Sequence, residues 1–198
     1  SILEKNQFDT FYHEHPRTYS LKSFVSIAKR LKKHLSFISF PNRYGGNIRV
    51  FISNKEPSKK NLDLIKDTSK KERKFKNNFN DLSIFINKWK LKKRSEILNL
   101  VKENQGPIVA KAFPGRAAIL INILDLNSNH IECIFEKPGS KKLGHFIPGS
   151  DIPIVSDEIL FNNINKYQYI LNLAWHIPIE IENYLISKGF NGLLVDII

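Results

Sequence analysis

Side chains suited to acid–base chemistry are concentrated near the N-terminus, in the run Phe11-Tyr12-His13-Glu14-His15-Pro16. An imidazole beside a carboxylate can act as a base near neutral pH. The proline that ends the run disfavours helix for the residue before it, so we expect His15 to be extended or in a turn. In an extended segment, His13 and His15 would share one face, and Tyr12 and Glu14 the other. A solvated loop, or histidines that cap a neighbouring helix, is the alternative interpretation.

A second candidate site is the turn-rich connection Pro41-Asn42-Arg43-Tyr44-Gly45-Gly46-Asn47. The adjacent glycines Gly45 and Gly46 let the backbone approach a ligand closely. Arg43 and Arg49 flank them and could hold a phosphate through paired hydrogen bonds. An ordinary hairpin turn with surface arginines explains these residues equally well.

The elements that must position these side chains follow from hydrophobic spacing and turn residues. Apolar positions at helical spacing, with Ser20 as an N-cap for the first helix, predict helices over 21–33, 59–72, 77–103, 117–126, 157–163 and 178–188. Runs of β-branched and aromatic residues predict strands over 34–40, 46–53, 107–112, 131–135, 152–155, 169–174 and 193–197.

From Gly106 onward the strands alternate with helices, which implies βαβ units and a largely parallel sheet. Ligands in such sheets bind beyond the carboxyl ends of the strands. Here those ends lead to Pro114-Gly115-Arg116, to residues 136–144, and to Trp175-His176. The first of these loops resembles a phosphate-binding turn before a helix, although it lacks the pattern G-x-G-x-x-G.

The composition of the 198-residue chain is strongly basic, with a formal net charge of +12. Lysine-rich clusters at 29–33, 70–76 and 88–94 would attract nucleic acid, an acidic partner or a phosphorylated substrate. The clusters lack regular aromatic interleaving, and no helix-turn-helix or zinc-finger signature is present. We therefore interpret them as solvated helix surfaces and do not expect a nucleic-acid partner.

The number of cysteines and the length of the apolar runs indicate in which cellular compartment the protein is expected. The sole cysteine, Cys133, excludes an internal disulfide and a multi-cysteine zinc site. No run approaches the ~20 apolar residues of a membrane span, and no signal peptide is visible. We expect a cytoplasmic protein without a membrane partner. The chain contains no methionine and opens at Ser1, so we expect either a processed start or a piece of a longer protein.

Five collinear segments stand out, namely Phe8-Asp9-Thr10-Phe11-Tyr12-His13-Glu14-His15, Tyr19-Ser20-Leu21-Lys22-Ser23, Gly45-Gly46-Asn47-Ile48-Arg49-Val50, Gly149-Ser150-Asp151-Ile152-Pro153-Ile154-Val155-Ser156 and Leu173-Ala174-Trp175. Together they resemble the C-terminal part of the S-adenosylmethionine-dependent sugar C-methyltransferases, which act on nucleotide-linked 4-keto deoxysugars. The Tyr-His-Glu-His run is the most specific of these segments.

The resemblance implies an α/β architecture with three parts. Residues 1–54 would be the tail of a Rossmann-like methyltransferase domain, with its last helix and a β-hairpin. Residues 55–105 would be a helical connector, and 106–198 a Rossmann-like substrate-binding domain. S-adenosylmethionine would be bound mainly upstream of this chain, where the family also carries its zinc-binding cysteines.

The resemblance also implies a mechanism and roles for individual residues. A base removes a proton from the carbon next to the keto group, and the resulting enolate attacks the sulfonium methyl. His15 would be the base, with Tyr12 and Glu14 close to the sugar and Tyr12 or His13 as the enolate donor. Arg116 would bind the diphosphate of the nucleotide-linked sugar. The other expected substrate contacts are Gly45, Gly46, Arg49, Trp175 and His176.

Three departures from the family pattern leave the substrate open between sugar and non-sugar ketones. The loop at 112–118 is less glycine-rich at its start, Pro16-Arg17 follows the histidine run, and His176 stands where an asparagine often follows the tryptophan. A non-catalytic module that binds a nucleotide-sugar or another phosphorylated ligand is the alternative function. A metal site using His13 and His15 would need further ligands, so we do not expect one.

Overall fold

The computed structural model describes residues 2–12, 14–41 and 46–198. The chain divides into two compact units, residues 1–87 and 88–198, with the division inside a long helix. Within the described ranges, no helix is long and apolar enough to cross a membrane. The three-part division expected from the sequence stays a prediction.

The first unit combines helices with a two-stranded antiparallel sheet. It contains a 3₁₀ turn at Phe8–Thr10, the helix α1 (Leu21–Arg30), the strands β1 (His34–Ser39) and β2 (Arg49–Ser53), and the helix α2 (Lys59–Glu72). The helix α3 (Phe75–Glu103) begins in this unit. Leu21 and Ala28 of α1 pack with Leu35 and Ile38 of β1 in a small apolar core. The helix and hairpin expected at this end of the chain are therefore present.

The start of α1 is fixed by side chains from two places. Ser20 and Ser23 form a reciprocal capping box. The Glu72 carboxylate at the end of α2 accepts the N–H groups of Leu21 and Lys22, at 2.6 and 3.0 Å. These bonds satisfy N–H groups that a helix start leaves without intrahelical partners.

The second unit is built on a five-stranded, all-parallel sheet. Its strands are β3 (Ile108–Lys111), β4 (Ile131–Glu136), β5 (Ile154–Ser156), β6 (Tyr169–Asn172) and β7 (Leu193–Asp196), in the order β5-β4-β3-β6-β7. The helices α4 (Ala117–Ile123), α5 (Asp157–Asn162) and α6 (Pro178–Ser187) connect them. The predicted α/β class and parallel sheet are confirmed, and the strand order is that of a Rossmann-like fold.

Two helices end earlier than the sequence predicts. Helix α1 was expected to reach residue 33 and ends at Arg30, and α4 was expected to reach residue 126 and ends at Ile123. Lys32 and Asp125 take positive φ values of 53° and 52°, and the next N–H groups bond back to Ala28 and Ile121. Glycine usually occupies this left-handed position, so its absence hid both ends.

Candidate functional site

The N-terminal histidine run forms a turn, closed by a hydrogen bond of 2.8 Å from the His15 N–H to the Tyr12 carbonyl. Of the two geometries expected for His15, extended or in a turn, the turn is the one observed, so the faces expected for an extended segment do not apply. The turn brings the rings of Tyr12 and His15 to 4.5 Å, and the Tyr12 hydroxyl donates to Glu14 Oε2 at 3.0 Å. The structure thus gathers three of the four expected catalytic residues, while His13 lies outside the described residues.

The hydrogen bond of the His15 ring determines which nitrogen can act as a base. His15 Nδ1 lies 3.2 Å from the Thr10 carbonyl oxygen, which can only accept. In the neutral imidazole, Nδ1 therefore carries the proton and donates, and Nε2 is the nitrogen with the lone pair. The side chain is exposed, so Nε2 can be reached by a substrate.

The Thr10 carbonyl is itself held by the short 3₁₀ turn Phe8–Thr10. Phe8 and Asp9 are buried, and the Thr10 hydroxyl donates to the Gln7 carbonyl at 2.8 Å. The exposed His15 imidazole is thus hydrogen-bonded to a backbone segment that is held in place by buried side chains.

The hairpin connection carries the second predicted group of residues. Arg43 and Gly45 lie outside the described residues. Gly46 has a φ of 125°, which favours glycine, and Arg49 is exposed at the start of β2, paired with Ser39 of β1. The prediction that Gly46 and Arg49 contact substrate stays a prediction.

The sheet of the second unit has its topological switch point between β3 and β6. From β3 the chain runs outward through β4 and β5, and then returns to the other side of β3 to form β6 and β7. Open α/β sheets bind ligands at this point, beyond the carboxyl ends of the two strands. The loops that follow β3 and β6 carry Arg116 and Trp175-His176.

Arg116, Trp175 and His176 are brought together across the switch point. The Arg116 guanidinium lies over the Trp175 ring, 5.0 Å from its centre, and the His176 ring meets Trp175 edge-on at 5.9 Å. Arg116 and Trp175 are partly buried, and His176 is exposed. The guanidinium is planar, and stacking on an aromatic ring uses its face, whereas a phosphate or carboxylate is bound bidentately through its edge.

Buried polar residues at the strand ends are a feature that the sequence analysis missed. Lys111, Glu136 and Asn172 are the last residues of β3, β4 and β6, and all three are buried. Lys111 is paired in register with Asn172, which is paired with Asp196 of β7. The sequence signal for these residues was that each apolar strand ends in a polar residue just before a candidate loop.

Glu136 anchors the loop that carries Arg116. Its carboxylate accepts the Phe113 N–H at 3.0 Å and the Lys137 N–H at 3.1 Å. Lys142, from the loop after β4, lies 3.8 Å from the same carboxylate and also donates to the Phe113 carbonyl. The loops after β3 and β4 are therefore joined to each other at the carboxyl ends of these two strands.

Lys111 forms a buried ion pair with Asp157, the first residue of α5. Lys111 Nζ and Asp157 Oδ2 are 2.9 Å apart, and the two side chains are 4% and 0% exposed. The Tyr184 hydroxyl of α6 donates to the same oxygen at 3.4 Å. Burial, with a further contribution from the Asp157 charge, raises the pKa of Tyr184, so this hydroxyl stays a donor at neutral pH.

Within residues 2–12, 14–41 and 46–198, no group of three or more histidine, cysteine, aspartate or glutamate side chains is arranged to hold a metal ion. The exposed imidazole of His15 in the first unit could act as a base, and the stacked Arg116 in the second unit could bind an anion.

Comparison with known proteins identifies the family of the chain. The profile of the C-methyltransferase C-terminal domain family matches residues 42–189, well over half of the chain. The chain is also 23% identical over 184 residues to C-methyltransferase NovU of Streptomyces niveus, a match that covers 91% of this chain. It spans 43% of the length of that relative.

Proposed function

Because the chain belongs to the C-methyltransferase C-terminal domain family and is the C-terminal part of a C-methyltransferase, we propose that it is the substrate-side portion of such an enzyme. The reaction we propose is S-adenosylmethionine-dependent methylation of a carbon next to a keto group. The proposed substrate is a nucleotide-linked deoxysugar.

The observation that carries the proposal is the donation from His15 Nδ1 to the Thr10 carbonyl, which leaves Nε2 as the proton acceptor. A hydrogen on the carbon next to a ketone is weakly acidic, and a positioned base typically accelerates its removal by ~10²–10⁴-fold. In our proposal, His15 Nε2 takes this proton and the keto oxygen gains negative charge.

The other residues of the turn would stabilise that charge and orient the base. The Tyr12 ring packs against His15, and its hydroxyl is already a donor, held by Glu14 at 3.0 Å. A hydroxyl that turns from Glu14 to the enolate oxygen would stabilise it as an oxyanion donor does. Glu14 would hold the hydroxyl before substrate arrives, and His13 is the second candidate donor.

The nucleotide-linked part of the substrate would lie at the switch point of the parallel sheet. Arg116 would hold a diphosphate through paired N–H groups, and Trp175 and His176 would line the same place. Gly45, Gly46 and Arg49 are proposed as further substrate contacts. A ligand with a planar base and negative charge suits an arginine stacked on an indole ring.

The residues of the second unit do not fit a nucleoside cofactor such as S-adenosylmethionine, which supplies the methyl group in this family. Phe113 is buried in the loop after β3, which lacks the glycine-rich pattern. Glu136, where dinucleotide-binding folds place the acid that holds a ribose, bonds its own chain through both oxygens. We propose that the cofactor is held by residues outside this sequence, and micromolar binding by this chain in calorimetry would contradict that.

The catalytic test uses a longer protein that contains this chain, with a 4-keto sugar nucleotide and labelled S-adenosylmethionine. We expect His15→Gln to reduce methyl transfer by ~10²–10⁴-fold without weakening cofactor binding. His34→Gln is the matched control, because His34 is an exposed histidine of the first unit that pairs with Glu56. Retained turnover in His15→Gln would exclude the proposed base and would assign proton removal to another group of the longer protein, which leaves this chain a binding role.

The binding test uses Arg116→Ala in the same protein. We expect KM for the sugar nucleotide to rise while kcat changes little, because the diphosphate is remote from the reacting carbon. Arg73→Ala is the matched control, since Arg73 is exposed at the end of α2. An unchanged KM in Arg116→Ala would remove Arg116 from the substrate site.

A further inference from the structure

Asn172 is a fully buried amide at the carboxyl end of β6, beside the switch point. A buried side-chain amide is costly unless its donors and acceptor are bonded. Here the amide is bonded at both ends, and one of its partners belongs to the turn that leads to Trp175.

The orientation of the Asn172 amide is fixed by its two neighbours. Nδ2 donates to Asp196 Oδ1 at 2.6 Å, and Oδ1 accepts the Ala174 N–H at 2.9 Å. A carboxylate can only accept and a backbone N–H can only donate, so the amide has one way to satisfy both.

Asp196 is itself held in place from two sides. It pairs in register with Asn172 across β6 and β7, and its carbonyl accepts a hydrogen bond of 2.8 Å from Lys93 Nζ. The Asn172 carbonyl in turn accepts the Ile197 N–H at 3.1 Å. The carboxylate that orients the amide is therefore part of the rigid sheet.

We propose that Asn172 is a positioning residue for substrate binding: held by Asp196, it fixes through the Ala174 N–H the turn that presents Trp175 to Arg116. This inference rests on the proposed function, in which Arg116 and Trp175 bind the anionic part of a nucleotide-linked substrate. Asn172 acts from beneath the loop and is too deeply buried to touch the ligand.

The pair allows an exchange experiment. Asn172→Asp sets two carboxylates against each other at the 2.6 Å contact, which repels and shifts the turn. Combining it with Asp196→Asn restores both bonds with the donor reversed, because the carboxylate at 172 then accepts from the amide at 196 and from Ala174. If Asn172 only filled space in the core, the single variant and the exchange variant would behave alike.

The experiment uses the full 198-residue chain in a Trp89→Phe background. Trp89 and Trp175 are the two tryptophans, so Trp175 is then the only one. Uridine diphosphate is the probe, titrated by calorimetry, with uridine as the control that lacks phosphates. Iodide quenching of the Trp175 emission reports the position of the ring without ligand, and thermal unfolding reports stability.

We expect Asn172→Asp to weaken uridine diphosphate binding by about tenfold or more, the equivalent of one lost buried hydrogen bond, and to increase iodide quenching. We expect the exchange variant to return both to within about threefold of the parent. If Asn172→Asp does not fold, Asn172→Ala takes its place with the same expectations.

Two results would overturn the positioning role. One is a folded single variant that loses stability but binds uridine diphosphate and quenches like the parent. The other is a folded exchange variant that restores neither measurement. If the parent itself does not bind uridine diphosphate, the anion-binding function fails, while quenching of Trp175 still decides whether Asn172 positions the turn.

Discussion

Removing Lys111 should destabilise the second unit strongly, because it would leave the Asp157 carboxylate buried without a cation. The pair is 2.9 Å apart and almost inaccessible, and within the described part of the chain Asp157 Oδ1 has no hydrogen-bond partner. Breaking a buried pair by removing one partner typically costs about 3–5 kcal/mol. A domain is stable by only about 5–15 kcal/mol, so Lys111→Met would remove a large fraction of that margin.

Urea unfolding followed by tryptophan emission measures this effect, because Trp89 and Trp175 both belong to the second unit. With a denaturant slope of about 2 kcal/mol per molar urea, a loss of about 4 kcal/mol lowers the midpoint by about 2 M. Adding Asp157→Leu should recover at least half of the loss, because an apolar pair can replace a buried ion pair at little cost.

The matched control for Lys111→Met is Asp125→Asn. Asp125 lies 3.3 Å from Arg94 in the same unit, but its side chain is 81% exposed. Exposed pairs contribute about 0–1 kcal/mol, and asparagine tolerates the positive φ at this position. If Lys111→Met costs no more than Asp125→Asn, burial does not strengthen the Lys111–Asp157 pair.

Three further predictions concern single residues. Burial, aided by the Glu132 charge, raises the pKa of Cys133 to about 12. The thiol of the folded protein should therefore react with a disulfide reagent roughly 10³-fold more slowly than an ordinary thiol, and it should reach the ordinary rate when urea unfolds the protein. A fast reaction of the folded protein would contradict the burial of Cys133. Hydrogen bonds from the Ser128 hydroxyl and N–H hold the pKa of Asp151 below its usual 3.8, so its stabilising effect is complete above that value and is lost as pH falls through the lowered pKa. The stability difference between the parent and Asp151→Asn should therefore shrink steadily on acidification, and a difference that is independent of pH would exclude this cause. Gly149→Ala would place a Cβ against the Asn122 amide oxygen at a φ of +80°, so it should cost more than about 1 kcal/mol. The loss should exceed that of Gly139→Ala, which has a φ of +79° in open space. Equal losses would rule out the Asn122 contact as the cause.

The sequence was sufficient for the secondary structure and the parallel sheet of the second unit. Runs such as Ile131–Glu136 and Tyr169–Asn172 are rich in β-branched or aromatic residues between turn residues, and these local signals do not depend on the rest of the fold. The helix ends at Lys32 and Asp125 escaped prediction because neither left-handed position carries a glycine.

Contacts across the sheet could not be predicted, because they depend on the order of the strands. Alternating strands and helices predict parallel pairing but leave open which strands are neighbours. The placement of β6 beside β3 is what brings Trp175 to Arg116. The pairing of Lys111 with Asp157, from β3 to the start of α5, is equally non-local, so the partner of Lys111 had no sequence signal, although the position of Lys111 at the end of an apolar strand did.

The histidine run illustrates the same limit at short range. The assignment of Tyr12, Glu14 and His15 as site residues stays a prediction, and the proline at the end of the run left an extended segment and a turn both open. The hydrogen bond that closes the turn decides the arrangement, and the Thr10 carbonyl that fixes the imidazole tautomer lies before the run.

The most direct test of the account is hydrogen exchange at the substrate carbon next to the keto group. A longer protein that contains this chain is mixed with a 4-keto sugar nucleotide in heavy water, without methyl donor, and proton NMR follows the loss of the signal. We expect exchange with the parent and with His34→Gln, and a ~10²–10⁴-fold slower rate with His15→Gln. Exchange by His15→Gln at the rate of the parent would contradict the assignment of His15 as the base.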